Sequence, residues 1–151
     1  MVNPRIKRVM GFDFGLKRIG IAVGQRISCS AQPAGTISAD NGIPNPEQLA
    51  RVIEEWQPDA FVVGLPLNMD GTASELSKRA NKFCNRLQNN FRRPAYTTDE
   101  RLSTFEAKGI AAQRGHKGNY KQDPVDAIAA VLILESWLNQ HPLTEDTEAT
   151  P

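Results

Sequence analysis

The sequence predicts an α/β fold in which a mixed β-sheet carries helices on both faces. Three extended stretches open the chain, at residues 8–15, 18–24 and 32–38, and the first two are close enough to form a hairpin. From residue 45 onward helical and extended patterns alternate, which is typical of parallel strands joined by helices. The run at 60–65 is continuously apolar, as expected of a strand covered on both sides. The predicted order is β-β-β-α-β-α-β-α-α, with five strands.

The first two predicted helices have recognisable beginnings. Asn45 can cap a helix whose first residue is Pro46, and Pro58 then ends that helix. Thr72 and Glu75 have the spacing of a capping box and precede an apolar stripe of helical period. These signals predict one helix before the strand at 60–65 in the sequence and one helix after it.

The second half of the chain completes the sheet and adds two helices. Residues 94–98 predict the fifth strand, and Ser103 with Glu106 has the capping spacing of the helix after it. Asp123 and Asp126 open a last helix with apolar residues every three or four positions. No repeat or long linker divides the chain.

The expected organisation is a single domain, 1–141, followed by a tail, 142–151, that is acidic and expected to be disordered. No apolar run approaches the roughly 20 residues that span a bilayer, and no signal-peptide pattern is present. We therefore expect a cytoplasmic protein with no membrane partner. Cys29 and Cys84 lack the spacing of a zinc site or a disulfide framework, so we interpret both as reduced packing residues.

Asp13 is the first candidate functional residue because it interrupts an apolar strand. An unpaired buried carboxylate costs several kcal/mol, so something must compensate it. Two interpretations stay open. The Asp-x-Gly sequence ending at Gly15 can simply begin the hairpin turn, or Asp13 can be a metal ligand at a strand end.

Two further acids lie at element ends compatible with the same edge of the sheet. Glu100 follows the fifth predicted strand, with Asp99 as its rival, and Asp126 lies in the first turn of the last helix, with Asp123 as a second acid nearby. Taken singly, they can be a solvated loop residue and a helix-cap residue. Taken with Asp13, they match the shared oxygen ligands of two hard cations about 3.5–4 Å apart, one activating water and one stabilising the leaving oxygen.

Basic residues around this edge are candidate phosphate contacts. They belong to the hairpin turn, to the position after Glu100 and to a polar loop before the last helix: Lys17, Arg18, Arg101, His116, Lys117 and Lys121. His116 could also shuttle protons, or could simply be exposed. Lys78, Lys82 and Arg86 recur every four residues on the second helix. They can contact the phosphate backbone of a nucleic acid, or they can simply form a solvent-exposed face of the helix.

The loop that follows the fourth strand, GLPLNMDGT at 64–72, has two interpretations. It can be a turn between strand and helix, or it can present backbone N–H groups at a helix N-terminus to a phosphate. Asn68, Asp70 and Thr72 are its candidate substrate contacts.

Four motifs run through the chain in a fixed order: DFGLKRIGIAV, VVGLPLNMDGT, DERLST and DPVDAIAAVLILESWL. Together they resemble the YqgF family, also called RuvX-like, of the RNase H-like superfamily, from Val9 to about Leu138. The resemblance implies an RNase H-like fold with a five-stranded mixed sheet, its first three strands antiparallel, and an acidic triad on Asp13, Glu100 and Asp126. The acidic tail is not part of the shared motifs.

The resemblance also implies a function: a nuclease that trims the 5′ end of precursor 16S ribosomal RNA with Mg²⁺ or Mn²⁺, or a Holliday-junction-resolvase-like protein. We favour a two-metal endonuclease acting on structured RNA as a monomer or weak homodimer. Resolving a four-way DNA junction would need a two-fold dimer for paired cuts. A non-catalytic nucleic-acid-binding factor is the second class. A sugar-kinase or actin-like protein ranks last, because that fold duplicates the domain and this chain is too short to hold both halves.

Overall fold

The computed structural model describes residues 2–100 and 125–143, with the backbone alone at positions 125 and 126. The described strands are β1 (Arg8–Asp13), β2 (Arg18–Gln25), β3 (Ser30–Asp40), β4 (Ile43–Pro44), β5 (Ala60–Leu65) and β6 (Ala95–Asp99). The described helices are α1 (Pro46–Trp56), α2 (Glu75–Phe91) and α3 (Val125–Gln140).

The strands form a mixed sheet in the order β4-β3-β2-β1-β5-β6. β1 pairs antiparallel with β2, and β2 with β3, whereas β1–β5 and β5–β6 are parallel. The predicted mixed sheet with three antiparallel opening strands is therefore confirmed. Within the described residues the sheet has six strands rather than the predicted five, because β4 pairs with the end of β3. A two-residue strand is too short to leave a periodic pattern in the sequence.

Side chains cap the N-termini of α1 and α2. The cap of α1 is the predicted one, and the cap of α2 is a different residue from the predicted one. The Asn45 side chain accepts hydrogen bonds from the backbone N–H groups of the first turn of α1, as predicted. The predicted capping box of Thr72 at the start of α2 is wrong. Ser74 and Ser77 form it instead, each side chain accepting from the other's backbone N–H. The Thr72 hydroxyl lies within the preceding loop, where it accepts from Asn68 Nδ2 at 3.0 Å and donates to Asp70 at 2.6 Å.

Two apolar layers cover the two faces of the sheet. Along β1 the side chains alternate, as in any strand. Met10 and Phe12 pack with α1 and α2, whereas Val9 packs with α3. Gly11 lies on the α3 side, where an added Cβ would come within 2.8 Å of Leu134 Cβ. Helix α3 therefore packs closely against the face of β1 that also carries position 13.

Several predictions fall on residues that are not described. They concern the helix from Ser103, the polar loop around His116 and the acidic tail from residue 144 onward. Both cysteines are free, and Cys84 is buried as predicted. No described helix combines the length and the apolar character required to cross a bilayer.

Candidate active site

Asp13 ends β1 at the edge of the sheet where β5 and β6 also end. It pairs with Gly20 across the antiparallel hairpin and is half-buried. Gly15 in the turn lies so close to β2 that an added Cβ would overlap the carbonyl oxygen of Arg18. The turn is therefore tight enough to require glycine, which explains the second part of the Asp-x-Gly sequence.

Glu100 follows β6 directly and is buried, with 8% of its surface exposed. Its backbone N–H donates to Leu65 O at 3.3 Å, which continues the β5–β6 pairing one residue beyond the strand. Its side chain is hydrogen-bonded to that of Asp13. The first two acids of the predicted triad are therefore brought together.

Strand register accounts for this meeting. Phe12 pairs with Val63 between β1 and β5, and Gly64 pairs with Thr98 between β5 and β6. Gly64 of β5 thus lies between the end of β1 and the end of β6, and a Cβ added to it would be 2.7 Å from Glu100 Oε2. The absence of a side chain at this position of β5 provides the space in which the Glu100 carboxylate lies.

The environment of Glu100 disfavours its charge. Burial raises its pKa to about 7, and the nearby charge of Asp99 acts in the same direction, while the hydrogen bond with Asp13 opposes the shift. Near neutral pH and without a cation, Glu100 is therefore poised between its neutral and ionised forms.

Asp13 and Glu100, the two predicted metal ligands whose side chains are described, have the chemistry that a hard divalent cation requires. Glu100 Oε2 is buried and has no hydrogen-bond partner within the described residues. Carboxylate oxygens are the preferred ligands of Mg²⁺ and Mn²⁺, and a cation would offset the burial of such an oxygen. Residues 2–100 and 127–143 contain no group of three or more acidic, histidine or cysteine side chains placed to hold a metal.

Asp126 is the second residue of α3, and its side chain lies outside the described part. The direction of α3 is nevertheless clear from its contacts with β1 and β2. A Cβ added to Gly11 would lie 3.4 Å from Ala130 O, and one added to Gly24, which pairs with Val9, would lie 2.8 Å from Leu138. Helix α3 therefore runs antiparallel to β1, and its first turn lies at the end of the sheet where Asp13 lies.

The predicted phosphate contacts are described only in part. Lys17 in the turn that follows Asp13 and Arg18 at the start of β2 are both exposed. The remaining basic candidates and the second acid of the last helix lie outside the described residues: Arg101, His116, Lys117, Lys121 and Asp123.

The loop after β5 is held together by its own polar groups. Asn68 Nδ2 donates to Thr72 Oγ1 at 3.0 Å, and Asp70 accepts from both the hydroxyl and the backbone N–H of Thr72. All three residues are exposed. These contacts support the interpretation as a structural turn, and substrate binding by these side chains stays a prediction.

Gly64 is the site residue that the sequence interpretation missed. The sequence places it in the apolar strand 60–65 and at the start of the loop 64–72 but gives it no role in the site, whereas it is the position where β5 makes room for Glu100. A glycine inside an apolar strand often marks a close approach by another group, so a signal was present.

The chain was compared with known families and proteins. The model of the family described as RuvX, Holliday junction resolvase, matches residues 7–140. A protein of Saccharophagus degradans named "Putative pre-16S rRNA nuclease" is 59% identical over 136 residues, which are 90% of this chain and 96% of that protein. A protein of the same name from Pseudomonas fluorescens (strain Pf0-1) is 54% identical over 137 residues, 90% of this chain and 94% of that protein.

Solved structures with the same architecture are more distant in sequence. RuvC of T. thermophilus, in complex with a Holliday junction substrate, has a TM-score of 0.56 at 16% identity and covers 88% of this chain and 94% of its own. The fowlpox virus Holliday junction resolvase has a TM-score of 0.55 at 17% identity, over 88% and 99% of the two chains. At this identity the likeness concerns the fold alone, and it confirms the predicted RNase H-like class.

Proposed function

The chain belongs to the RuvX family, and on that premise we propose that it is a divalent-metal-dependent endonuclease that processes the 5′ end of precursor 16S ribosomal RNA. The relatives that are more than half identical carry a pre-16S rRNA nuclease name. The observation that carries the proposal is the contact between Asp13 and Glu100, with one buried carboxylate oxygen of Glu100 lacking a partner in the described part of the chain.

Asp13 and Glu100 would hold Mg²⁺ or Mn²⁺, with Asp126 as the third ligand. Support for Asp126 comes from the direction of α3, whose first turn lies at the end of the sheet where Asp13 ends β1. A pair of divalent cations, when bound, would supply Lewis-acid stabilisation of the charge that develops on the phosphate being cut. Rigid strand ends would keep the two described carboxylates in place, so little reorganisation would be required on binding.

Basic and polar side chains around the acids would hold the RNA backbone. The described candidates are Lys17, exposed in the turn after Asp13, and Arg18, exposed at the start of β2. Arg101 and the loop residues His116, Lys117 and Lys121 complete the proposed cationic set, and Asn68, Asp70 and Thr72 a polar one. We place this activity in the cytoplasm, in a chain acting as a monomer or weak homodimer.

A second candidate is resolution of four-way DNA junctions, favoured by the description of the matched family. It would use the same carboxylates, but two copies of the site must then act on opposite strands, which requires a two-fold dimer. A binding factor without catalysis is the third candidate. It would keep its function when the carboxylates are changed.

The test is cleavage of a 5′-extended 16S precursor and of a synthetic four-way DNA junction, each with Mg²⁺, with Mn²⁺ and with EDTA. Asp13→Asn is compared with Glu54→Gln, a control at an exposed acid of α1. Metal-dependent cutting of the RNA that Asp13→Asn loses and Glu54→Gln retains supports the proposal. Cutting of the junction alone favours the resolvase. RNA binding without cutting, equal in both variants, favours the binding factor.

A further inference from the structure

A groove rich in positive charge lies between α2 and the turn that joins β3 to β4. Its volume is about 240 Å³, and Arg79, Lys82 and Arg86 line one wall while Asn41 and Gly42 line the other. The described lining contains no acidic side chain. Three cations facing one concave surface create a positive potential that an anion can neutralise.

The three cations are regularly placed, and one of them is fixed. Their spacing of three and four residues puts them along one side of the helix. Over seven residues α2 rises about 10 Å, so the three cations form a row of about that length along the groove. Arg79 Nη1 donates to Asn41 Oδ1 at 2.7 Å and to Asn41 O at 3.2 Å, so this guanidinium is oriented before any ligand binds.

The groove adjoins the hairpin turn that follows Asp13. Gly42 N donates to Leu16 O at 2.9 Å, and Ala39 N donates to Lys17 O at 2.8 Å. The turn that lines the groove is thus hydrogen-bonded to the hairpin turn. The groove lies on the α2 face of the sheet and Asp13 on the α3 face, so a strand bound in the groove would pass over the hairpin turn to reach the carboxylates.

An apolar bay of about 230 Å³ adjoins the groove and shares Ile43, Phe83 and Arg86 with it. Phe91 also lines this bay, and Ile43 is 56% exposed. A single strand can splay a base into such a bay, whereas a duplex keeps its bases stacked and paired. A row of cations beside an apolar bay can hold the phosphates and a splayed base of one strand, which favours a single-stranded nucleic acid over a duplex.

We propose that the groove lined by Arg79, Lys82 and Arg86 binds the phosphate backbone of a single-stranded RNA segment that flanks the cleavage point. The proposal rests on the proposed nuclease function, since the hairpin turn beside the groove begins at Asp13. An acidic polypeptide is the alternative occupant of a basic and apolar surface. The position of the groove beside that turn favours RNA, because the bound strand can continue toward the carboxylates, whereas an acidic polypeptide would have no reason to do so.

The test measures binding of a short fluorescent single-stranded RNA by anisotropy in EDTA over a series of salt concentrations. The variant Lys82→Gln/Arg86→Gln should bind about tenfold or more weakly than wild type, and its log–log salt slope should be shallower by between about 1 and 2. The matched control is Arg5→Gln/Arg51→Gln, which removes two exposed cations outside the groove. It should bind like wild type. Lys82→Arg should retain the affinity, and all variants are checked for unchanged thermal unfolding.

The remaining outcomes test the groove proposal and the nuclease proposal independently of each other. Wild-type affinity and slope in the groove variant would overturn the groove, even if wild type cuts RNA. Weaker RNA binding by the groove variant, with no cutting by wild type, would support the groove and sink the nuclease. Equal losses in the Arg5 and Arg51 control, or tighter binding of duplex RNA, would overturn the proposal. So would polyglutamate binding that depends on Lys82 and Arg86 more strongly than RNA binding does.

Discussion

Gly64 and Glu100 are related by close approach: a Cβ built on Gly64 would lie 2.7 Å from Glu100 Oε2 and 3.3 Å from Glu100 Cβ. A Cβ at these distances would force Glu100 or its neighbours to shift, so the absence of a side chain on β5 at this position leaves room for the carboxylate where it lies. Gly64 contributes no ligand and no proton, but it helps to set the position of the Glu100 carboxylate.

Gly64→Ala should therefore displace Glu100 and lower the rate of metal-dependent RNA cleavage by about 10²-fold, the effect of a misplacement of about 1 Å. Overpacking should also cost about 1–3 kcal/mol of unfolding free energy. Single-turnover cleavage and urea unfolding measure the two effects.

Two variants separate displacement of the carboxylate from general overpacking. Gly11→Ala meets Leu134 of α3 at 2.8 Å, so it should lower stability while keeping most of the cleavage rate. Gly64→Ala/Ile133→Val relieves the second close contact of the new methyl group, with Ile133 Cδ1 at 2.7 Å, but not the one with Glu100. If this double variant regains wild-type cleavage, displacement of Glu100 is not the cause.

The raised pKa of Glu100 predicts how the stability of the metal-free protein depends on pH. Its pKa in the folded state is about 7 because the side chain is buried, against 4.5 for a free glutamate. The folded state therefore binds a proton that the unfolded state releases between these values. The resulting stabilisation, up to about 3 kcal/mol, is fully present below pH 4.5 and is lost as pH rises through 7.

Urea unfolding in EDTA between pH 5 and 8 measures this dependence. Glu100→Gln cannot ionise, so its unfolding free energy should fall less over this range than that of wild type. Glu54→Gln, at an exposed position, should keep the wild-type dependence. Parallel curves for wild type and Glu100→Gln would contradict the raised pKa.

Arg26 should be one of the residues that stabilises the fold most. It is 3% exposed, and its guanidinium donates to Asn3 O, Ile6 O and His141 O at 2.9–3.0 Å. It thereby joins the N-terminal segment to the residue after α3. Arg26→Gln should cost about 2–4 kcal/mol in urea unfolding, because it leaves buried carbonyls unsatisfied. A loss no larger than that of Arg51→Gln, at an exposed position, would show that these bonds add little.

Capping of α2 supplies a paired prediction. Ser74→Ala removes the acceptor for Ser77 N and the donor to Pro66 O, so it should cost about 1 kcal/mol or somewhat more. Thr72→Ala breaks contacts only within an exposed loop and should cost less than half as much. Thermal unfolding of the two variants measures the difference. A larger loss in Thr72→Ala would restore the capping assignment made from the sequence.

The sequence predicted most of the fold because its signals are local. Asn45 with Pro46 marked the start of α1, and the apolar run of β5 marked a strand between two helical layers. Two elements were predicted wrongly or missed: the start of α2, where two residues compete as the helix cap, and β4, which is very short. Thr72 and Ser74 both suit a helix cap, and the choice depends on the side-chain contacts of the folded loop, where Thr72 is bonded to Asn68 and Asp70 and Ser74 to Ser77. β4 is too short to have a period.

The site was predictable in composition and less so in geometry. An acid in an apolar strand is unusual in any sequence, so Asp13 could be recognised directly. Glu100 and Asp99 are adjacent acids, and the sequence did not decide between them on physical grounds. The decision comes from register, because Leu65 pairs with Asp99 and the next residue reaches the space above Gly64. That relationship joins residues 36 positions apart, which no local pattern encodes.

The most direct test of the account compares these two neighbouring acids. Single-turnover cleavage of the 5′-extended 16S precursor in Mg²⁺ is measured for wild type, Glu100→Gln and Asp99→Asn. Because Glu100 contacts Asp13 and Asp99 acts on it only through charge, Glu100→Gln should lose about 10²-fold or more in rate, and Asp99→Asn should stay within about tenfold of wild type. Full activity in Glu100→Gln, or a greater loss in Asp99→Asn, would contradict an active site built on Asp13 and Glu100.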